Sequence, residues 1–351
     1  MADKKPKIHI LYKFIEGPWG GGNQFLKGLR DYFLSAGVYS ADPQDADVLI
    51  FNSYPFGNEH LFDLAFKLKR KEPDKILIHR VNGPISYIRG KDEIVDRIIL
   101  RFNSCLADGT VFQSNWSREK NYEIGAAKSP YETVIINAPD AKVFNPKPPS
   151  SLEGRKIRLM ATSWSANVRK GFDIYDYLDE NLDFNKYEMT FIGNSPIEFK
   201  NIKWIRAIPN PKLAQELKKY DIYIIASKSD PCSNALLEAL HCGLPAVARK
   251  DGGHTELVGK AGVLFEDGEE AIKAIEKVAQ RYEHYRQQIN LPALDEAGEK
   301  YYQFAQMIHQ DCLSGNYRPK QANLFGNMRV RMKILQWRLQ KRLQSLRIGL
   351  G

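Results

Sequence analysis

At 351 residues and 40.2 kDa the chain exceeds what one compact core usually holds, which points to two domains. Apolar content of 43% with 26% charged residues excludes wholesale disorder, and no apolar run nears the roughly 20 residues needed to cross a bilayer. The net charge of +9 is local: from Arg318 onward nine Lys and Arg stand with no acid, leaving 42 bases against 42 acids elsewhere, so a nucleic-acid-binding body is disfavoured.

Met1 to Ile15 is too short and too interrupted by lysine for a secretory leader. The scattered Cys105, Cys232, Cys242 and Cys312 lack metal-type spacing, which argues against a disulfide scaffold or a structural zinc and for a reducing cytoplasm. Lys7–Tyr12 reads as a strand, followed by a glycine-rich turn at 17–22 and a helix from about Asn23, on which Phe25, Leu29 and Phe33 share a face. Val48–Asn52, Ile76–Val81, Thr110–Gln113 and Thr133–Asn137 are further strands, with helices expected at 59–71, 92–106 and 115–124. This alternation predicts a parallel sheet covered on both faces, as one domain over 1–150. Pro146, Pro148, Pro149, Ser150 and Ser151 form the expected linker. A second unit over 151–314 repeats the pattern, with strands at Ile157–Thr162, Met189–Ile192, Ile222–Ala226, Ala246–Ala248 and Val263–Phe265. Its helices are expected at 171–182, 211–220, 233–242, 269–288 and 295–312. The predicted fold is α/β, two doubly wound domains facing across a cleft, with ligands expected where strand C-termini meet it.

The most informative stretch is Ser227 to Asp267. A loop follows the strand Ile222–Ala226, and a helix opens near Ser233–Asn234, where unsatisfied N–H groups can receive a diphosphate. Glu238 lies one turn in, where a carboxylate can accept from a ribose diol. Gly252 and Gly253 allow close backbone approach. On spacing alone an ordinary βα unit, with Asn234 as a cap and Glu238 as a solvated charge, is an equal reading.

The segment resembles the donor-nucleotide region of family 4 retaining glycosyltransferases, which have the GT-B fold. Leu237-Glu238-Ala239 and Gly243-Leu244-Pro245 match the family's L-E-A-x-x-x-G-x-P run, and Asp230, eight residues before Glu238, stands where the family has its first glutamate. S-W-S-A-N-V-R-K-G-F-D (163–173) resembles the family's K-G segment, so the resemblance gives Lys170 the donor diphosphate. Ser165 replaces a frequent arginine there, and Arg169 is its substitute. Gly20-Gly21-Gly22 resembles the glycine-rich loop near the reacting sugar, and His79, ending a strand in H-R-V-N-G-P, a loop residue beside that sugar. Read without the resemblance, the glycines are a flexible turn and His79 a packed or surface histidine. V-F-Q-S-N-W-S (111–117) and V-I-I-N-A-P-D (134–140) resemble fold-forming markers without chemistry.

The resemblance thus implies catalytic roles for His79, Lys170 and Asp230. It implies donor contacts for Gly21, Gly22, Arg169, Lys170, Asp230, Ser233, Asn234 and Glu238. No D-x-D metal-diphosphate signature follows a strand, so no metal or other cofactor is expected, and lysine, arginine and a helix N-terminus must meet the leaving-group charge. The implied reaction is front-face transfer, with retention, from a UDP- or GDP-sugar to a saccharide or lipid-linked acceptor in polysaccharide, lipopolysaccharide or glycoprotein glycan synthesis. A glycan- or nucleotide-sugar-binding module without turnover is the rival, favoured by Asp230 and Ser165. A sugar-nucleotide epimerase ranks below it, because no further acid–base pair is evident.

Residues 315–351 form a basic amphipathic tail. Met328, Met332, Leu335, Leu339, Leu343 and Leu346 make one helical stripe, while Trp337 and Ile348 add apolar surface away from it. An anionic membrane surface suits this pattern, and packing on protein is the alternative. The expected location is the cytoplasm, at the inner face of a membrane, and no nucleic-acid partner is expected.

Overall fold

The computed structural model describes residues 5–16, 21–148 and 151–348, and of 344–348 the backbone alone. Gly17 to Gly20 of the expected glycine turn, Pro149 and Ser150 of the expected linker, and the side chains of Leu346, Arg347 and Ile348 lie outside the described residues. The chain divides into two compact units, one of Met1–Phe14, Arg30–Ile135 and Gly298–Gly351, the other of Ile15–Leu29 and Ile136–Ala297.

In the first unit β1 (Ile8–Leu11), β2 (Val48–Asn52), β3 (Ile76–Val81), β4 (Gly109–Phe112) and β5 (Tyr131–Val134) form a parallel sheet in that order. The chain also forms α1 (Gly21–Ser35), α2 (His60–Lys71), α3 (Ile85–Arg89), α4 (Glu93–Leu106) and α5 (Asn115–Glu123). β2 is an apolar run up to Asn52, and all six residues of β3 are buried, His79 and Arg80 included, because helices cover both faces of a parallel sheet. Phe51, Phe62 and Phe102 pack with ring centroids 4.5 to 5.0 Å apart.

The second unit holds β6 (Ile157–Ser163), β7 (Tyr187–Gly193), β8 (Lys203–Ile205), β9 (Ile222–Ile225), β10 (Ala246–Arg249) and β11 (Gly262–Phe265), in the order β11-β10-β9-β6-β7-β8. Its helices are α6 (Phe172–Asn181), α7 (Asn210–Leu217), α8 (Asn234–His241), α9 (His254–Val258), α10 (Gly268–Gln280) and α11 (Tyr282–Gln287). Side chains alternate between two cores. Leu159, Ala161, Ile222 and Ile224 join one with Tyr175 and Ile275, while Met160, Tyr223 and Ile225 join the other with Leu236 and Leu240. The strand order reverses between β6 and β9, so the loops leaving these two strands diverge and open a crevice at their C-terminal ends.

The compact units differ from the expected boundaries at residues 150 and 314, for reasons visible in the contacts. Phe144 is buried in the second unit's core, and Lys147 Nζ is held by Tyr220 O and lies 3.3 Å from Asp221 Oδ1. Asp221 also takes Arg155 and Arg158, whose charges and hydrogen bonds overcome its burial and hold its carboxyl down to about 2. Residues 136–148 are thereby fixed to the second unit. At the other end α12 (Leu294–Leu313) and α13 (Leu324–Ile348) contribute to the first. Tyr301, Ala305 and Ile308 are buried, Tyr131 donates to Asp311 at 2.7 Å, and Tyr317 and the Lys320 N–H both donate to buried Asp108.

The basic tail is part of this unit. α13 packs along α4, with Val330 and Ile334 buried in the first core and Trp337 against Tyr54 at 5.4 Å. Arg331, Arg338 and Lys341 pair with Asp63, Glu59 and Asp92. The docked face is therefore not the Met328–Leu346 stripe, whose described side chains face outward. No helix among the described residues is long and apolar enough to cross a membrane.

Candidate functional site

Two loops of the second unit, after β6 and after β9, carry most of the candidate residues. They are laced together by backbone. The Lys228 N–H donates to Arg169 O at 2.7 Å, and Gly171 sits against Ala226. Gly171 has φ 80°, and a Cβ there would lie 2.1 Å from Ala226 O, so only glycine fits. That approach brings Lys170, at the end of a short 3₁₀ turn (Val168–Lys170), within reach of the second loop, where its Nζ lies 3.0 Å from Asp230 Oδ2.

Asp230 is held from three sides. Gly253 N–H donates to its carbonyl at 2.8 Å, and Cys232 N–H to its Oδ1 at 3.3 Å. Gly252, at φ 64°, passes so near that a Cβ would meet the Asp230 carbonyl oxygen at 2.3 Å. Ser229, one residue before Asp230, is a non-glycine at φ 54°, a strained conformation of the kind that concentrates in binding loops. Burial acts to raise the Asp230 carboxyl, but the charge of Lys170 and the hydrogen bonds outweigh it and hold it below the usual carboxylate range. His254, missed in the sequence, is fully buried. Its Nδ1–H donates to Arg249 O at 3.0 Å, its Nε2 accepts from Ser227 Oγ at 3.2 Å, and burial lowers its pKa. The signal was its place directly after Gly252-Gly253.

α8 begins beside this pair. Ser233 caps it, its Oγ accepting from the Leu236 N–H, which leaves the Asn234 and Ala235 N–H groups at the open end. Asn234 is braced by Asn137, whose Nδ2 donates to Asn234 Oδ1 at 3.1 Å, giving the V-I-I-N segment a structural task. One turn on, Glu238 forms part of the wall of an open pocket of about 100 Å³. Gly21, Trp164, Gly193, Ile208 and Asn234 share that wall. Glu238 is 8% exposed, and burial raises its carboxyl to about 8, with no cation or donor among the described residues to offset it. A buried, uncompensated carboxyl lining a cavity is an acceptor awaiting donors.

The structure thus gathers Gly21, Asn234 and Glu238 on one pocket and Lys170 and Asp230 in an ion pair, with Arg169 next to Lys170 and half-buried. Gly22 sits in the first turn of α1 with open space where a side chain would be. His79 does not line that pocket. It is wholly buried in the first unit, its Nε2–H donates to Ser53 O at 3.1 Å, Asn103 donates to its Nδ1 at 3.3 Å, and Phe51 and Phe102 pack edge-on against its ring. Burial lowers its pKa to about 4, so it is a neutral core residue with both nitrogens occupied. Sequence reasoning also missed the pocket wall of Trp164, Ala207 and Ile208. Only Trp164, an exposed aromatic directly after a strand, carried a legible signal. Among the described residues no cluster of three or more His, Cys, Asp or Glu could hold a metal.

A model of the family described as glycosyl transferases group 1 matches residues 180–281, which include Asp230, α8 and Gly252-Gly253. Sulfoquinovosyl transferase SQD2 of Arabidopsis thaliana is 23% identical over 195 residues, 49% of this chain and 37% of that protein. This chain's match therefore spans little more than a third of that relative's length. HepE of Anabaena, in complex with UDP-glucose, is similar in structure at a TM-score of 0.61 and 14% identity, covering 88% of this chain and 99% of that one. Sucrose-phosphate synthase of Thermosynechococcus elongatus is similar at a TM-score of 0.61 and 14% identity, over 88% and 96%. With two parallel sheets of five and six strands, the chain has the GT-B fold, and residues 180–281, which hold the loop after β9 but not the one after β6, match the model of the group 1 glycosyl transferases.

Proposed function

We propose that the protein is a retaining glycosyltransferase that moves a sugar from a nucleoside diphosphate donor, a UDP- or GDP-sugar, to a saccharide or lipid-linked acceptor without a metal. The observation that carries this reading is Glu238, a buried carboxyl with no counter-charge among the described residues, on the wall of a pocket at the strand C-termini, one turn inside a helix that opens four residues after Asp230, the partner of Lys170. The ribose diol of a nucleotide is the donor pair that such a carboxyl lacks. In this reading the Asn234 and Ala235 N–H groups and Lys170 take the diphosphate, and their positive potential meets the charge that grows as the glycosidic bond breaks. Asp230, held ionised, orients the Lys170 ammonium and the donor sugar. The departing phosphate oxygen takes the acceptor proton, so the protein needs no nucleophile of its own; it positions the reactants and excludes water. HepE, seen with UDP-glucose, supports the choice of donor class. The work would be done in the cytoplasm at the inner face of a membrane, and the four free cysteines suit that compartment.

A binding module without turnover is the second reading, favoured by the Lys170–Asp230 ion pair, in which each group partly neutralises the other. A panel of UDP- and GDP-sugars, assayed for nucleoside diphosphate release with and without acceptor, separates the two. Acceptor-dependent release that persists in EDTA, with the donor's anomeric configuration kept in the product, is expected. Nucleotide-sugar binding without release supports the module. Loss of release in EDTA, restored by magnesium or manganese, defeats metal independence.

A further inference from the structure

α13 is apolar on two opposite sides, and among the described residues only one of them is packed. Val330, Ile334 and Trp337 face α4 and the first core, together with the stem of Lys341, which pairs with Asp92. Met328, Met332, Leu335 and Leu339 each precede one of these residues by two positions, and at about 100° per residue that puts them roughly 200° around the helix. They and Leu343 are 50–59% exposed, and Leu324 and Phe325 extend the stripe at its start. An apolar face this long on a monomer marks an interaction surface rather than scattered exposure.

Charge says what covers it. The helix carries seven bases (Arg329, Arg331, Lys333, Arg338, Lys341, Arg342 and Arg347) and no acid. Arg331, Arg338 and Lys341 are turned back to acids of the first unit, while Arg329 is exposed beside the stripe, stacked over Phe325 at 4.0 Å. On the neighbouring groove Lys67 and Arg70 of α2 join Arg331, so bases continue beyond the helix. A second copy pairing stripe to stripe would bring two all-basic helices together. A nucleic acid would meet an apolar ridge where phosphates need cations. An anionic lipid surface satisfies both features: acyl chains take the ridge, and headgroups take the flanking bases.

We infer that the outward face of α13 docks the protein on anionic membrane surfaces as a rigid, preformed ridge, already fixed to the first unit by its opposite face. The membrane setting proposed above thereby gains a named surface, and the inference stands or falls without reference to turnover. The intact protein is sedimented with vesicles of phosphatidylcholine alone or mixed with phosphatidylglycerol, at low and high salt. Binding is expected on the anionic vesicles only, fading with salt as screening shortens the Debye length. Met332→Gln, Leu335→Gln and Leu339→Gln together should cut that binding by about tenfold or more. Because these side chains are exposed, the triple variant should melt with its parent. Arg329→Gln with Lys333→Gln should weaken binding to anionic vesicles and reduce its salt dependence. The inference is overturned if the intact protein ignores anionic vesicles, or if the triple variant binds them as well as the parent. Early melting of the triple variant overturns it by showing the stripe to be packed. A dimer in light scattering that the triple variant abolishes, without vesicle binding, assigns the stripe to a second copy and overturns it as well.

Discussion

Glu238→Gln separates what the pocket costs from what it does. Burial raises the Glu238 carboxyl from 4.5 to about 8. The unfolded chain ionises this group near its ordinary value, so between the two values the folded protein keeps a proton that the unfolded chain releases. The sign follows from that difference. Below about pH 4.5 the group is neutral in both states and costs nothing; stability then falls as pH rises, until the folded carboxyl itself ionises near pH 8. At about 1.4 kcal/mol per tenfold change in proton affinity, the full penalty is on the order of 3–5 kcal/mol. Glutamine has nearly the same shape and no charge. E238Q should therefore match its parent in acid and exceed it at alkaline pH, with the second unit melting about 5–15 °C higher at pH 8.5. The same variant should lose nucleotide-sugar use, because an amide cannot accept both hydroxyls of a ribose diol as a carboxylate can. Parent affinity for the nucleotide should rise with pH toward 8, as binding draws off the proton, and that slope should vanish in E238Q. Thermal melts of both proteins across this range, with calorimetric nucleotide titrations, check the argument. A stability difference that does not change with pH, or a glutamine variant less stable at alkaline pH, would refute it.

Lys170→Ala removes a charge-assisted contact and leaves Asp230 without its nearest cation, so donor kcat/KM should fall roughly 10- to 100-fold, equivalent to about 1.5–3 kcal/mol, with the fold retained by circular dichroism. His79→Gln tests the reassignment of that residue: the loss of its ring packing and its bond to Ser53 should cost roughly 1–3 kcal/mol of stability, while kcat/KM of the folded variant stays at the parent value. A large loss of turnover at parent stability would restore a role at the reacting sugar. Deleting residues from Leu324 onward should lower the melting temperature of the first unit, since Val330 and Ile334 are buried there and burying two such side chains contributes roughly 3–6 kcal/mol. An unchanged melt would show that α13 contributes no stability.

Much of the scaffold is written locally. Fully buried parallel strands must be short apolar runs, so Val48–Asn52, Ile76–Val81 and Ile222–Ile225 stand out from the sequence. The K-G and G-G dipeptides are legible for a related reason: a chain that passes within 2.3 Å of a neighbouring carbonyl, counted from where a Cβ would be, has to carry glycine there. β8 escaped because an exposed three-residue edge strand needs no apolar pattern. α9 escaped because five residues are too few to show a period. The pocket wall was largely illegible, since Ala207 and Ile208 are distinguished by position and not by type.

Other decisions belong to the tertiary structure alone. Sequence gives His79 a polar ring at the end of a strand, but Phe51, Phe102 and two hydrogen-bond partners, remote along the chain, decide that it is buried and neutral. Periodicity shows that α13 has an apolar stripe and a tryptophan off it. Which of its two faces binds the protein depends on Asp63, Glu59, Asp92 and Tyr54, acids and a ring that no local pattern connects to Arg331, Arg338, Lys341 and Trp337. The limits of each unit were hidden for the same reason, because burying Phe144 in one and Ile308 in the other rewards contacts between segments far apart in sequence. Composition and period describe what a segment can bury; only the packed chain decides against what.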